Sequence, residues 1–268
     1  FYQVILDEGF TTNTVIHYHA VLRKALQSTV KKELIPRDPA DSVDKPKKNH
    51  YQATHYTEPE MLELFKVIEG DPLELPIKIA AYYGLRRSEV LGLKWEAVNF
   101  QDKTLAINHK IIEAKVDGKF VPMGEDVLKN KASIRMLPLL PVIEKLLLQQ
   151  KEKQEFMQDI LKTGYCTEYL EYICVDQTGK LLRPNFVSDH FTYLIKKFGL
   201  KKIRFHDLRH TCASLLLANG VPMKQIQIWL GHSNFSTTAD IYAHLDMSAQ
   251  IQTGCVAGAL FGQDKSLS

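Results

Sequence analysis

Apolar residues recur at three- and four-residue steps through most of this chain and give way to strand-like alternation between Thr104 and Pro138. A helix returns to the same face about every 3.6 residues and a strand every second residue. The pattern therefore predicts a mainly α fold with a small antiparallel β-sheet, an α+β arrangement. From Thr14 to Leu34 the apolar face is carried by Val15, Tyr18, Val21, Leu22, Ala25, Leu26 and Val30. Pro36-Arg37-Asp38-Pro39 and Lys45-Pro46-Lys47-Lys48-Asn49 then combine helix breakers with a basic run, the composition of a linker. Residues 1–46 are read as part of a small helical domain, 47–53 as a basic linker and 54–268 as a larger domain. A tail of spaced apolar residues follows from about residue 247, with Ile251, Val256, Ala259, Leu260 and Phe261.

In the larger domain, Thr57-Glu58-Pro59-Glu60 fits a capping box at a helix start. Helices are expected at Leu75 to Tyr83, Glu89 to Leu93, Val142 to Gln154, Phe186 to Phe198, His206 to Asn219 and Met223 to Leu230. Gly220 and Gly231 suit left-handed C-terminal caps. Strands are expected at Thr104 to Ile107 and Ile134 to Leu137, with Asp117-Gly118 as a hairpin turn.

Composition limits the class. At 268 residues and 45% hydrophobic content the chain can bury a core. It carries no run of about 18 apolar residues and no signal-peptide pattern, so no membrane partner is expected and the reading is cytoplasmic. Cys166, Cys174, Cys212 and Cys255 lack paired zinc-site spacing and read as free thiols. The net charge of +3 only mildly favours a polyanion. Phe1 lies within an apolar, helical-looking stretch and is not methionine, so residues upstream of it are expected.

Four segments hold polar and basic residues that helical patterning does not require. They are Gly84-Leu85-Arg86-Arg87-Ser88-Glu89, Lys129-Asn130-Lys131-Ala132-Ser133-Ile134-Arg135, His206-Asp207-Leu208-Arg209-His210, and Leu230-Gly231-His232 followed by Tyr242. His206 and Arg209 are three apart and share a helix face, so one phosphate can meet both. Arginine forks match two phosphate oxygens and stay charged, and fixed donors are what a phosphodiester needs as negative charge builds on it. A tyrosine, with an ordinary pKa of about 10, attacks only when its proton is taken or its phenolate is stabilised by cations.

These segments resemble the signature boxes of the tyrosine recombinase, or phage integrase, family, above all the integrases of conjugative transposons and temperate phages. The arginine followed three residues on by an acid is matched by Arg86 and Glu89, and the H-x-x-R box by His206 and Arg209. The L-G-H box is matched by His232, and the nucleophile by Tyr242 in a T-x-x-x-Y setting with Thr238. Lys129-Asn130-Lys131 resembles the family's hairpin lysine motif, with asparagine for the usual threonine. Lys129 is favoured and Lys131 stays open.

The resemblance implies a site-specific recombinase, an integrase or transposase of a mobile element. Tyr242 would form a 3′-phosphotyrosine, Lys129 would protonate the leaving oxygen, and His206 would act as base, with Arg86, Arg209 and His232 holding the phosphate. No cofactor, metal or ATP is implied. It also implies a helical core-binding domain at residues 1–46 that clamps double-stranded DNA with a catalytic domain at 54–268. The implied DNA is that of mobile-element ends, circular intermediates and target sites. The implied assembly is a homo-tetramer on two DNA sites, acting in the bacterial cytoplasm on the nucleoid, with an excisionase and a host DNA-bending protein as further partners. The tail packs either within its own chain or on a neighbour, and an arm-binding domain is implied upstream of Phe1.

Competing readings are a type IB topoisomerase-like DNA-relaxing enzyme, a zinc-dependent hydrolase built on His206, His210, Cys212 and His232, and a non-catalytic helical DNA-binding regulator. Arg87 is the alternative to Arg86 if the register is shifted. Arg135 either contacts DNA or decorates a strand. His210 reads as a satisfied helix histidine, and Trp229 as a buttress for the L-G-H box.

Overall fold

The computed structural model describes residues 1–44, 46–47, 54–116, 119–126 and 134–231. Contacts divide the chain into two compact units, Phe1–Gln52 and Ala53–Ser268.

The first unit holds helices α1 (Tyr2–Asp7) and α2 (Thr12–Lys31) and a short 3-10 turn at Pro39–Ser42. Thr11 caps α2, its hydroxyl accepting from the Thr14 amide at 3.3 Å. The helix stops three residues short of the expected Leu34 because Glu33 takes a left-handed φ of 58°, which ends the hydrogen-bond ladder. Ile5, Val15, His19 and Ala40 are its buried residues apart from Asp38. Arg23 joins α2 to the turn through Asp41 at 2.5 Å.

In the second unit, α3 (Glu58–Val67) opens as the capping box predicts, with the Thr57 amide donating to Glu60 Oε2 at 2.6 Å. The next helix, α4 (Glu74–Tyr83), is the centre of the core, and Leu75, Ile77, Ile79, Ala80 and Tyr83 on it are buried. Its terminal Tyr83 hydroxyl donates to the Pro138 carbonyl and accepts from the Leu140 amide, both at 3.0 Å. Short α5 (Arg87–Leu91) follows after Gly84 caps α4 in the left-handed region.

Among the described residues the β component is two antiparallel sheets instead of one. Strands β1 (Val98–Asn99), β2 (Thr104–Ile107) and β5 (Arg135–Pro138) form an antiparallel sheet in that order, with Thr104 opposite Pro138 and Ile107 opposite Arg135. Strands β3 (His109–Val116) and β4 (Lys119–Asp126) pair separately as a hairpin. Its Asp117-Gly118 turn lies outside the described residues. Between helix and hairpin there is no room for a side chain at Gly92, where an added Cβ would stand 2.5 Å from the Lys110 Cα.

The remaining helices among the described residues are α6 (Pro141–Leu161), α7 (Pro184–Lys197), α8 (Asp207–Ala218) and α9 (Met223–Leu230). The first of these runs seven residues past the expected Gln154. That side chain is buried and serves as a bracket, accepting from Trp95 Nε1 at 3.1 Å and donating to the Ile173 carbonyl at 2.9 Å. Gly220 and Gly231 follow α8 and α9 with φ of 78° and 68°, as their cap positions require. Among the described residues no helix is long and apolar enough to cross a membrane.

Candidate active site

Helices α4, α5 and α8 and strand β5 bring the described basic residues together. Arg86 is the N-cap residue of α5, and its backbone amide donates to Glu89 Oε2 at 3.0 Å. Its guanidinium Nη1 donates to Glu89 Oε1 at 2.7 Å while the side chain stays partly open to solvent. Glu89 therefore closes the turn and aims the arginine. Burial alone would raise the Glu89 carboxyl, but the Arg135 charge, followed by the Arg86 amide bond, outweighs it and holds the group below its ordinary value.

Arg135 is turned into the core and does not decorate the outer face of its strand. It is 8% exposed and shares the inward face of β5 with Leu137, whereas Met136 points out. Its Nη2 donates to Glu89 Oε2 at 3.1 Å and its Nε to the Trp229 carbonyl at 3.0 Å. Gly231 lies against it so closely that a Cβ there would fall 2.6 Å from Arg135 Nη1. One buried guanidinium thus ties α5, β5 and the end of α9 together. Trp229 is in turn stacked on Tyr83 and donates from Nε1 to the Tyr82 carbonyl at 3.3 Å. The sequence clue to this role is the two-residue spacing from Leu137, which puts Arg135 on the core face.

Arg209, on α8, is 2% exposed and donates from Nη1 to the Gly84 carbonyl at 2.6 Å, two residues before Arg86. Burial, then the Arg86 charge, pushes its guanidinium down to about 9, so it remains a cation at neutral pH. His206 precedes α8, with its ring 5.6 Å from that of His210. It opens onto a cleft on one side. Burial of the remainder, then the charges of His210 and Arg209, pushes its imidazole down to about 4 and keeps it neutral. Asp207, fully buried, accepts from Arg204 through the backbone amide at 2.8 Å, Nε at 3.1 Å and Nη2 at 2.8 Å. That clamp sets the start of α8 and hence the positions of His206 and Arg209.

Arg86, Arg209 and His206 are therefore neighbours across α5 and α8, although 123 residues separate the two arginines in sequence. Lys129, Lys131, His232 and Tyr242 lie outside the described residues. Among those described, no group of three or more His, Cys, Asp or Glu side chains could hold a metal. Cys212 turns its sulfur to the Tyr82 carbonyl at 3.5 Å, and burial pushes its thiol up to about 12.

The fold and this cluster define an α+β domain whose arginines and imidazole are set for an anion. Residues 55–249 match the Phage integrase family, and the chain belongs to that family. It is 27% identical over 255 residues to a tyrosine recombinase XerC-like protein of Caldanaerobacter subterraneus, covering 91% of this chain and 59% of that one. It is 28% identical over 244 residues to the ICEBs1 integrase of Bacillus subtilis, covering 90% of this chain and 64% of that one. The chain thus spans less than two thirds of either relative. In fold it is similar to the Tn1549 transposon integrase solved with a circular intermediate DNA, with a TM-score of 0.79 at 19% identity over 95% of this chain and 83% of that one. It is also similar to a lambda integrase tetramer bound to a Holliday junction, with a TM-score of 0.62 at 18% identity over 90% and 62%.

Proposed function

We propose that the chain is the core and catalytic part of a site-specific DNA recombinase of a mobile element, cleaving and rejoining DNA through a 3′-phosphotyrosine at Tyr242. The observation that carries this reading is the junction of Arg86 and Arg209 with His206 at the Gly84 carbonyl, Glu89 and the cleft. Two forks of fixed orientation can hold the non-bridging oxygens of one phosphate as charge builds on them. His232 supplies a further donor, being the residue after Gly231 at the end of α9. Lys129, with Lys131 as the alternative, protonates the leaving 5′-oxygen, and the covalent link conserves the energy needed for rejoining.

His206 accepts the Tyr242 proton. At about 4 it is neutral and ready to accept, but a weak base in the DNA-free chain. A bound phosphate adds negative charge beside it and raises its affinity for a proton as the reaction needs it. Glu89, Arg135 and Asp207 position the arginines and take no part in the chemistry.

The unit Phe1–Gln52 corresponds to the core-binding domain, and 54–268 to the catalytic domain. The proposed substrates are double-stranded DNA at element ends, circular intermediates and target sites, and the proposed assembly is a tetramer on two sites. The Tn1549 integrase complexes with right-end and circular intermediate DNA and the lambda integrase tetramer on a Holliday junction support the ends, the circular intermediate and the tetramer. We place this activity in the bacterial cytoplasm on the nucleoid, with an excisionase and a DNA-bending protein as regulators. The topoisomerase reading shares the chemistry.

The test is a nicked suicide substrate carrying the element's own ends. Wild-type protein is expected to form an adduct stable to denaturant that maps to Tyr242, and Tyr242→Phe to bind the same DNA without forming one. An adduct formed by Tyr242→Phe at the wild-type level would sink the assignment.

A further inference from the structure

The cleft beside His206 holds more cationic groups than one phosphate requires. It measures about 550 Å³ and is lined by Arg86, Arg87, Ser88, Ser188, Thr192, Arg204, Phe205 and His206. Among the described residues, three guanidiniums border it and no carboxylate does. Two of the three guanidiniums are backed by an acid, Arg86 by Glu89, which also pairs with Arg135, and Arg204 by Asp207; among the described residues Arg87 pairs with no acid. A water's share of the liquid is about 30 Å³, so the cleft has room for far more than one phosphate group.

The walls also divide the cations into two sets. Arg86 and Arg87 are successive residues at the start of α5, where side chains diverge by about 100° per residue. Arg86 is held on the side of Glu89. Arg87 reaches across to α7, where its Nη1 donates to the Ser188 hydroxyl. One helical turn on from Ser188, Thr192 lines the same wall. Arg204 completes this second set, its fork held by Asp207 while more than half of its side chain stays exposed. Arg87 therefore adds a positive charge to the cleft that no neighbouring acid offsets, and a polyanion with two charges at fixed separation can meet it together with Arg86.

Resting on the strand-transfer reading above, we propose that this cleft seats two consecutive phosphates of one DNA strand. The reacting phosphate sits at the Arg86 and His206 end, and its neighbour between Arg87 and Arg204 with the Ser188 and Thr192 hydroxyls on the facing wall. Arg87 is then a substrate-positioning residue with its own phosphate, not a spare for Arg86.

The experiment measures the salt dependence of binding to a short duplex of mixed sequence, with thermal unfolding as a check on folding. Each phosphate neutralised contributes about 0.9 to the slope of log affinity against log salt. Arg87→Gln and Arg86→Gln are each expected to lower the slope by about 0.9, the double variant by about twice that, and Arg87→Lys to keep the wild-type slope. An unchanged slope in Arg87→Gln, or a double variant no lower than either single one, would overturn the second subsite. Because these slopes need no cleavage, they are read separately from the adduct assay: failure of wild-type protein to form an adduct strikes the recombinase reading and leaves the binding comparison intact.

Discussion

Arg135 Nη2 stands 3.1 Å from Glu89 Oε2, with both side chains almost closed to water. The other oxygen of the same carboxylate takes Arg86 Nη1 at 2.7 Å. One acid thus orients a cleft-facing arginine and neutralises a buried one, and through the Trp229 carbonyl the buried one also fixes the chain just before His232. The relationship makes Arg135 part of the frame of the site.

Replacing Arg135 with Met should leave the Glu89 carboxylate with Arg86 as its remaining guanidinium partner. Breaking a buried pair costs roughly 3–5 kcal/mol, and the retained Arg86 contact puts the expected loss at the lower end. Urea unfolding measures it. Stability equal to wild type would show that the pair does not hold the frame.

Acid should weaken the fold through His206. In an unfolded chain its imidazole protonates near about 6.5, and in the fold only near about 4, chiefly because burial disfavours the cation. Between those values the unfolded state binds more protons, so stability is fully present above the upper value and falls as pH drops towards the lower one. His210, lowered in the same direction by burial, adds to the slope. Unfolding free energy measured against pH should lose part of this slope in His206→Gln. Adding DNA should move the His206 titration upward in an NMR experiment, and a titration that stays put would separate His206 from the phosphate.

Arg86→Lys and Arg209→Lys each keep a charge and lose a fork. By analogy with removing one preorganised donor, single-turnover cleavage should fall by roughly two orders of magnitude or more. DNA affinity should fall far less, because counterion release depends on charge number. Equal losses in binding and cleavage would place these arginines outside the reacting centre.

Two glycines should respond differently to alanine. Gly92 has an ordinary φ of −83°, but the added Cβ meets the Lys110 backbone, so overpacking should cost about 1–3 kcal/mol in thermal unfolding. Gly231→Ala instead strains a φ of 68° and presses on the buried guanidinium of Arg135. Its expected signature is a cleavage defect larger than its stability loss. A stability loss with cleavage unchanged would uncouple Arg135 from the site.

The helices were legible in the sequence because apolar periodicity and caps are local properties. The expected Met223 to Leu230 helix is found with those bounds, and the capping box opens α3 where Thr57 and Glu60 predict it. The order of the basic boxes was equally plain, since each is a short motif. Other features depend on partners distant in the chain. The extra turns of α6 rest on Gln154 meeting Trp95 and Ile173, and neither contact can be read from spacing. The split into two sheets follows from pairing: β5 joins β2, and the hairpin between them in sequence pairs only with itself.

By itself, then, the sequence determined the helical framework, the inserted strands and the inventory of phosphate-handling residues, because these depend on neighbours within a few positions. Only the tertiary structure decided that Arg135 points inward to Glu89, that Arg209 reaches the Gly84 carbonyl, and that Arg87 and Arg204 share a cleft with Ser188. Each of these relations spans 46 to 125 residues of chain or joins separate helices. Orientation over such distances is set by which faces the core buries, and a linear pattern does not contain that choice until the elements are packed.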